Sequence, residues 1–205
     1  QVWHAGGTGG HVFPGLAVAE ELLNHGCRVT LLISPKEVDR QALKDIAEFD
    51  VVTLPAVGLV RGQALQFCRG FRNAYRLAQG EFQQRRPQAA LAMGGFTSAP
   101  AVLAARRLGA CTFLHESNTV PGRANRWLSW IVDAAFVGFP SAAERLHTHQ
   151  VKVTGTPVRR QFRTQGPADC REILGLDPGR PVVLVMGGSQ GARGINELVI
   201  STLPL

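Results

Sequence analysis

Apolar residues in this chain fall into short blocks separated by longer stretches in which they recur every three or four positions. The blocks at residues 2–5, 28–33, 51–54, 89–93, 111–114, 134–137 and 151–153 predict β-strands, and the stretches between them predict helices. Strands so uniformly apolar need cover on both faces. The pattern therefore predicts an α/β fold, a Rossmann-like parallel sheet with helices on both faces. The first helix is marked by Pro14 near its first turn, by Leu16, Val18, Ala19, Leu22 and Leu23, and by Gly26 as a stop. The longest helix is expected at about residues 63–84.

The alternation breaks between residues 162 and 180. This polar stretch contains Gln165-Gly166-Pro167 and Asp177-Pro178-Gly179, with space for one short helix around 169–174. It reads as a linker between an N-terminal Rossmann-like domain, 1–161, and the start of a second such domain, 181–205. There the apolar residues 181–186 predict a strand, followed by Gly187-Gly188-Ser189-Gln190-Gly191 and the first turns of a helix. With Gln1 at one end and that helix cut short at the other, the expectation is a piece of a longer protein.

Composition narrows the class. The chain has 205 residues, 45% hydrophobic and 18% charged, which suits a soluble globular protein. It has neither a membrane-spanning apolar run nor a secretory pattern, so a cytoplasmic location is expected. Cys27, Cys68, Cys111 and Cys170 are too scattered for a zinc site or a disulfide framework and read as small buried hydrophobes. The net charge of +7 would attract phosphates, nucleic acid or anionic lipid. Because the arginines come as isolated pairs (Arg85-Arg86, Arg106-Arg107, Arg159-Arg160) and the aromatics lack a base-stacking spacing, no nucleic-acid partner is expected.

Three glycine segments follow predicted strands: Gly6-Gly7-Thr8-Gly9-Gly10, Gly94-Gly95, and Gly187 to Gly191. A glycine turn between strand and helix leaves main-chain N–H groups aimed outward at the positive end of the helix, which suits a phosphate. The plain alternative is a tight turn and nothing more. The dinucleotide fingerprint fails at Val12, strand two ends without an acidic residue, and the Walker motif and Asp-x-Asp are both missing. This removes the simplest metal-bridged diphosphate site, and a metal-free one must use helix ends, hydroxyls and arginines.

In order and spacing, Gly6-Gly7-Thr8-Gly9-Gly10-His11-Val12-Phe13-Pro14-Gly15-Leu16-Ala17, Met93-Gly94-Gly95-Phe96, His115-Glu116-Ser117-Asn118, Gly155-Thr156-Pro157-Val158-Arg159 and Gly187-Gly188-Ser189-Gln190-Gly191-Ala192-Arg193 closely resemble the MurG family of glycosyltransferases. The resemblance covers essentially the whole chain. It implies the two-domain GT-B architecture and an inverting transfer of N-acetylglucosamine from UDP-N-acetylglucosamine to the muramoyl sugar of lipid I, forming lipid II. It implies no metal and no other cofactor, and an enzyme peripheral to the cytoplasmic face of the bacterial membrane. By motif position, Thr8, Gly9, Gly10, Asn118, Arg159 and Ser189 would contact the donor. Phe96 departs from the tyrosine of many relatives, and the family's later donor-binding segments lie beyond Leu205.

Such a transfer needs a base for the acceptor hydroxyl and positive groups for the departing diphosphate. His11 is the first candidate base, because the positive end of a helix there favours a neutral, proton-accepting ring; its alternative role is to cap the helix or hold the acceptor. Glu116, at a strand's end, is the second. His115 reads as structural, and His147 and His149 as residues on a solvated helix end. Gly94 and Gly95 complete the candidate substrate-binding set. The segment from Leu65 to Arg76, with Phe67, Phe71, Tyr75 and three arginines, has the composition of an interfacial helix that would meet an anionic membrane surface, unless its aromatics are core. Two other readings stay open: another UDP-N-acetylglucosamine enzyme of the same fold, such as a non-hydrolysing epimerase, and a non-catalytic basic membrane-binding module.

Overall fold

The structure, a computed structural model, describes residues 2–5, 9–35, 49–55, 58, 62–162, 164–187 and 192–203, with backbone only for residues 3–5 and 9–11. The chain divides into two compact units, Gln1–Phe162 and Arg163–Leu205.

The first unit is a seven-stranded sheet formed by β1 (Val2–Ala5), β2 (Val29–Ile33), β3 (Asp50–Thr53), β4 (Ala89–Ala92), β5 (Cys111–Glu116), β6 (Ala134–Val137) and β7 (Val151–Val153). Every pairing is parallel and the order is β3-β2-β1-β4-β5-β6-β7. Its helices are α1 (Gly9–Asn24), α2 (Ala64–Gln84), α3 (Ser98–Arg107), α4 (Arg123–Leu128) and α5 (Pro140–Ala143). Strand β2 shows why its residues are apolar throughout. Val29, Leu31 and Ile33 pack with Val12, Leu16 and Ala19 of α1, whereas Leu32 between them packs on the other face with Ala78 and Phe82 of α2 and Ala101 of α3. A third cluster joins Ala92, Leu114 and Val137 to Val102 of α3, Leu128 of α4 and Ala142 of α5.

Helix α1 ends as expected at Gly26, whose φ of 76° lets Gly26 and Cys27 return their N–H groups to the carbonyls of Leu23 and Leu22. Its start differs. The helix begins at Gly9, so Pro14 is its sixth residue and lies beyond the first turn; the glycine pair supplies helix where Pro14 alone suggested a start. The proline has no N–H to give the Gly10 carbonyl one turn back. The cysteines also differ from expectation: all four are free, Cys68 and Cys111 are exposed, and Cys27 and Cys170 are half-buried. Cys68 falls on the outer face of α2 and Cys111 at the open amino end of β5.

The second unit contains α6 (Pro167–Ile173) and α7 (Arg193–Thr202), neither with a buried residue. The strand expected at 181–186 does not form, and Val183 and Leu184 are 85% and 77% exposed. A parallel strand exists only through its neighbours, and among the described residues of this unit there is none to pair it.

Candidate functional site

The sheet runs outward in opposite directions from the β1–β4 pair, and in open α/β sheets ligands bind beyond the carboxyl ends of the strands at such a reversal. Ala5 is in register with Ala92, so two of the sequence's glycine segments come directly after adjacent strands. Gly9 and Gly10 are the first two residues of α1 and His11 is the third, on its first turn. Thr8 and Ser189, both expected to contact the donor, lie outside the described residues. Gly94 and Gly95 have φ of 122° and 78°, left-handed conformations that side chains disfavour. They swing the chain from β4 into α3, where the Ser98 hydroxyl donates to the Gly95 carbonyl at 2.7 Å.

One strand further, β5 carries His115 and Glu116 to the same edge, both almost fully buried. A carboxylate offers about four lone-pair positions, and at Glu116 four N–H groups face them. Oε1 accepts from the main-chain and side-chain amides of Asn118 at 2.9 Å each; Oε2 accepts from the Gly122 N–H at 2.9 Å and Asn125 Nδ2 at 3.0 Å. These bonds compensate its burial and leave nothing for a substrate hydroxyl. The second candidate base is thus turned inward, organising the loop to α4. Asn118 is exposed, tied to Glu116 through its main-chain and side-chain N–H groups.

His115 Nε2 lies 3.0 Å from the Gly155 carbonyl. A carbonyl only accepts, so Nε2 carries the proton, and the ring pins the segment after β7 against β5. Gly138, which sequence reasoning missed, makes this approach possible. A Cβ there would sit 2.8 Å from Thr156 Oγ1 and 3.3 Å from the Ser117 carbonyl oxygen. The available signal was a glycine immediately after the β6 strand.

From this knot, residues 157–162 continue to α1. Arg159 reaches Glu20 Oε1 with Nε and Nη2, both at 2.8 Å, and Arg160 reaches Glu21 at 3.0 and 2.6 Å. The Arg160 hydrogen bond holds the Glu21 carboxyl below its ordinary range. Arg159, expected to face phosphate, faces a carboxylate instead, because the acidic pair of α1 stands within its reach. A cavity of about 340 Å³ between Phe13, Pro14, Pro157, Val158 and Phe162 adjoins this contact.

On α2 one apolar stripe has two fates. Ala74, Ala78 and Phe82 are buried in the core, whereas Phe67 and Phe71 stand half-buried over an open groove of about 500 Å³ shared with Phe96, Leu103 and Trp127. Phe96 and Trp127 also line an adjoining hollow of about 360 Å³ with Arg123, Arg126, Trp130 and His147. His147 is not simply solvated as expected: its ring stacks on Trp130 with centroids 3.8 Å apart. Among the described residues no helix is long and apolar enough to cross a membrane, and no three His, Cys, Asp or Glu side chains are grouped to hold a metal.

Comparison with known proteins gives a consistent family. Residues 2–137 match the glycosyltransferase family 28 N-terminal domain. The chain is similar to the UDP-N-acetylglucosamine–N-acetylmuramyl-(pentapeptide) pyrophosphoryl-undecaprenol N-acetylglucosamine transferase of Synechococcus sp. (strain JA-2-3B'a(2-13)), 38% identical over 98% of this chain and 53% of the relative. The protein of that name in Pelobacter propionicus is 36% identical over 98% of this chain and 58% of its own length. The chain therefore spans little more than half of these relatives. Among solved structures, Acinetobacter baumannii MurG superposes with a TM-score of 0.64 at 30% identity, covering 79% of this chain and 47% of that one. A Neisseria meningitidis UDP-GlcNAc 2-epimerase superposes at 0.58 with 19% identity, over 76% of this chain and 47% of that one, which shows a shared fold alone. With the all-parallel sheet, the glycine start of α1 and the Gly94-Gly95 turn beside its reversal point, the matched profile shows that the chain belongs to glycosyltransferase family 28, with that family's N-terminal domain over residues 2–137.

Proposed function

We propose that this chain is the acceptor-binding lobe of an inverting transferase that moves N-acetylglucosamine from UDP-N-acetylglucosamine to the muramoyl sugar of lipid I, without a metal or other cofactor. The observation that carries it is the reversal of strand order at β1–β4, where the glycine start of α1 follows one strand and Gly94-Gly95 follows the other. Both family relatives quoted above bear a name stating this reaction. In this reading His11 takes the proton from the acceptor hydroxyl as it attacks the anomeric carbon, while helix-end amides and Arg159 receive the charge of the departing diphosphate. Thr8, Gly9, Gly10, Asn118 and Ser189 complete the donor contacts. Glu116 acts by holding Asn118 in place. Arg159 would exchange Glu20 for phosphate.

The same reading makes the protein peripheral to the cytoplasmic face of the bacterial membrane. The half-buried Phe67 and Phe71 and the nearby Arg72, Arg123 and Arg126 supply an apolar surface with a cationic border suited to anionic lipid.

The test is transfer from UDP-N-acetylglucosamine to a lipid I analogue by a protein in which this chain is completed to its relatives' length. Turnover should persist in chelator and fall about 10²- to 10⁴-fold in His11→Ala. Epimerised donor formed without acceptor would favour the epimerase reading, and wild-type turnover in His11→Ala would remove the base assignment.

A further inference from the structure

Helix α1 carries both the glycine end expected to face a diphosphate and the carboxylate that holds Arg159. The two are well apart. Glu20 lies about three turns and about 16 Å from Gly9 along the helix axis, so a guanidinium closed on Glu20 is not at the amino end. Gly9, Phe13 and Glu20 nevertheless fall on one stripe of the helix, by its 3.6-residue period. Phe13 and Arg159 both line the cavity of about 340 Å³, so open space adjoins that stripe between the carboxylate and the glycine end.

The contact is also of a releasable kind. Nε and Nη2 both meet the single oxygen Oε1 at 2.8 Å, rather than forming the two parallel bonds of the strongest arginine–carboxylate pairs. A diphosphate offers the same guanidinium more charge and more acceptor oxygens. Arg160 keeps its own carboxylate, Glu21, which holds this part of the chain on α1 when Arg159 lets go.

We propose that Glu20 is an internal competitor for Arg159, an autoinhibitory carboxylate that a nucleoside diphosphate must displace and that sets how tightly the donor binds. This rests on the reading of Arg159 as a diphosphate contact and adds the residue that opposes it. A site that needs Arg159 released binds more weakly in proportion to the fraction released. By reciprocity, bound diphosphate frees the Glu20 carboxylate.

Titration calorimetry with UDP, and donor saturation of turnover, on the chain completed to its relatives' length test this. Glu20→Gln and Glu20→Ala should each lower the Kd for UDP and the KM for UDP-N-acetylglucosamine about fivefold, the worth of a partly exposed ion pair, with kcat unchanged. A merely structural Glu20 would weaken binding along with stability. Glu21→Gln, which releases Arg160 from the same helix, should leave both constants unmoved. In an Arg159→Ala background, where UDP binds more weakly, Glu20→Gln should have no further effect. Unchanged or weaker UDP binding in both Glu20 variants, equal tightening in Glu21→Gln, or tightening that persists without Arg159 would overturn the proposal while leaving Arg159 at the diphosphate. UDP affinity unchanged in Arg159→Ala would remove that reading of Arg159 and the competitor with it. Loss of sugar transfer with this UDP pattern intact would remove the transferase reading and leave the competition standing.

Discussion

Glu116 holds Asn118 twice, accepting both its main-chain and its side-chain N–H on Oε1 at 2.9 Å. A side chain written into the family motif beside an exposed asparagine is thereby the buried anchor of that asparagine. The division of labour has a direct test. Glu116→Gln brings an NH₂ group against N–H donors, leaving at least one buried group unsatisfied at a cost of about 1–3 kcal/mol. Urea unfolding should show that loss, and amide exchange should speed up through residues 117–122. Native stability with abolished turnover would instead restore a catalytic role.

Gly138→Ala should destabilise the first unit by about 1–3 kcal/mol, since its methyl group meets Thr156 Oγ1 and a main-chain oxygen that cannot step aside. Thr156→Ala removes the nearer obstacle. The double variant should therefore lose less than the sum of the singles in a double-mutant cycle.

The two arginine pairs on α1 should behave differently. Glu20 and Arg159 are 22% and 24% exposed, and Glu20→Gln should cost about 1 kcal/mol by thermal or urea unfolding. Glu21 and Arg160 are 50% and 58% exposed, and Glu21→Gln should leave the midpoint essentially unmoved in physiological salt.

Asp133 supplies a pH dependence at the opposite, amino end of the sheet. Burial opposes its charge, but the Thr112 N–H and hydroxyl, at 2.7 and 3.0 Å, together with Arg106 at 3.0 Å, outweigh burial and hold the carboxyl below its ordinary range. Its unfolded value is near 3.9, so the contribution is complete above that value and disappears as pH falls through the lower folded value. With the side chain 48% exposed, the effect should stay under about 1 kcal/mol. Comparing the urea midpoints of wild type and Asp133→Asn from about pH 6 to about pH 3 should show the difference narrowing toward the acid end.

What could be read from the chain, and what could not, follows from locality. Strands at 2–5, 134–137 and 151–153 match the structure because a run of apolar residues is a local signal. Strand β5 extends two residues beyond its apolar block, to His115 and Glu116, because their burial is made possible by partners at 118, 122, 125 and 155. Hydropathy carries no trace of such donors. The reverse failure is the missing strand at 181–186, whose apolar run is complete but whose neighbours are not. The motifs singled out Gly94, Gly95, Glu116 and Arg159 as candidates, yet gave neither the inward direction of Glu116 nor Glu20 as the partner of Arg159. The stacking of His147 on Trp130 was equally invisible, since nothing in the spacing of two surface residues fixes a ring contact.

The Arg159–Glu20 contact closes a loop of 139 residues. On a ribosome α1 is made long before Arg159, so this contact cannot fasten its outer end until all seven strands have cleared the exit tunnel. Contacts so distant in sequence form late. A nascent chain stalled short of residue 159 would carry the glycine end of α1 on a helix that is already wound but not yet clamped.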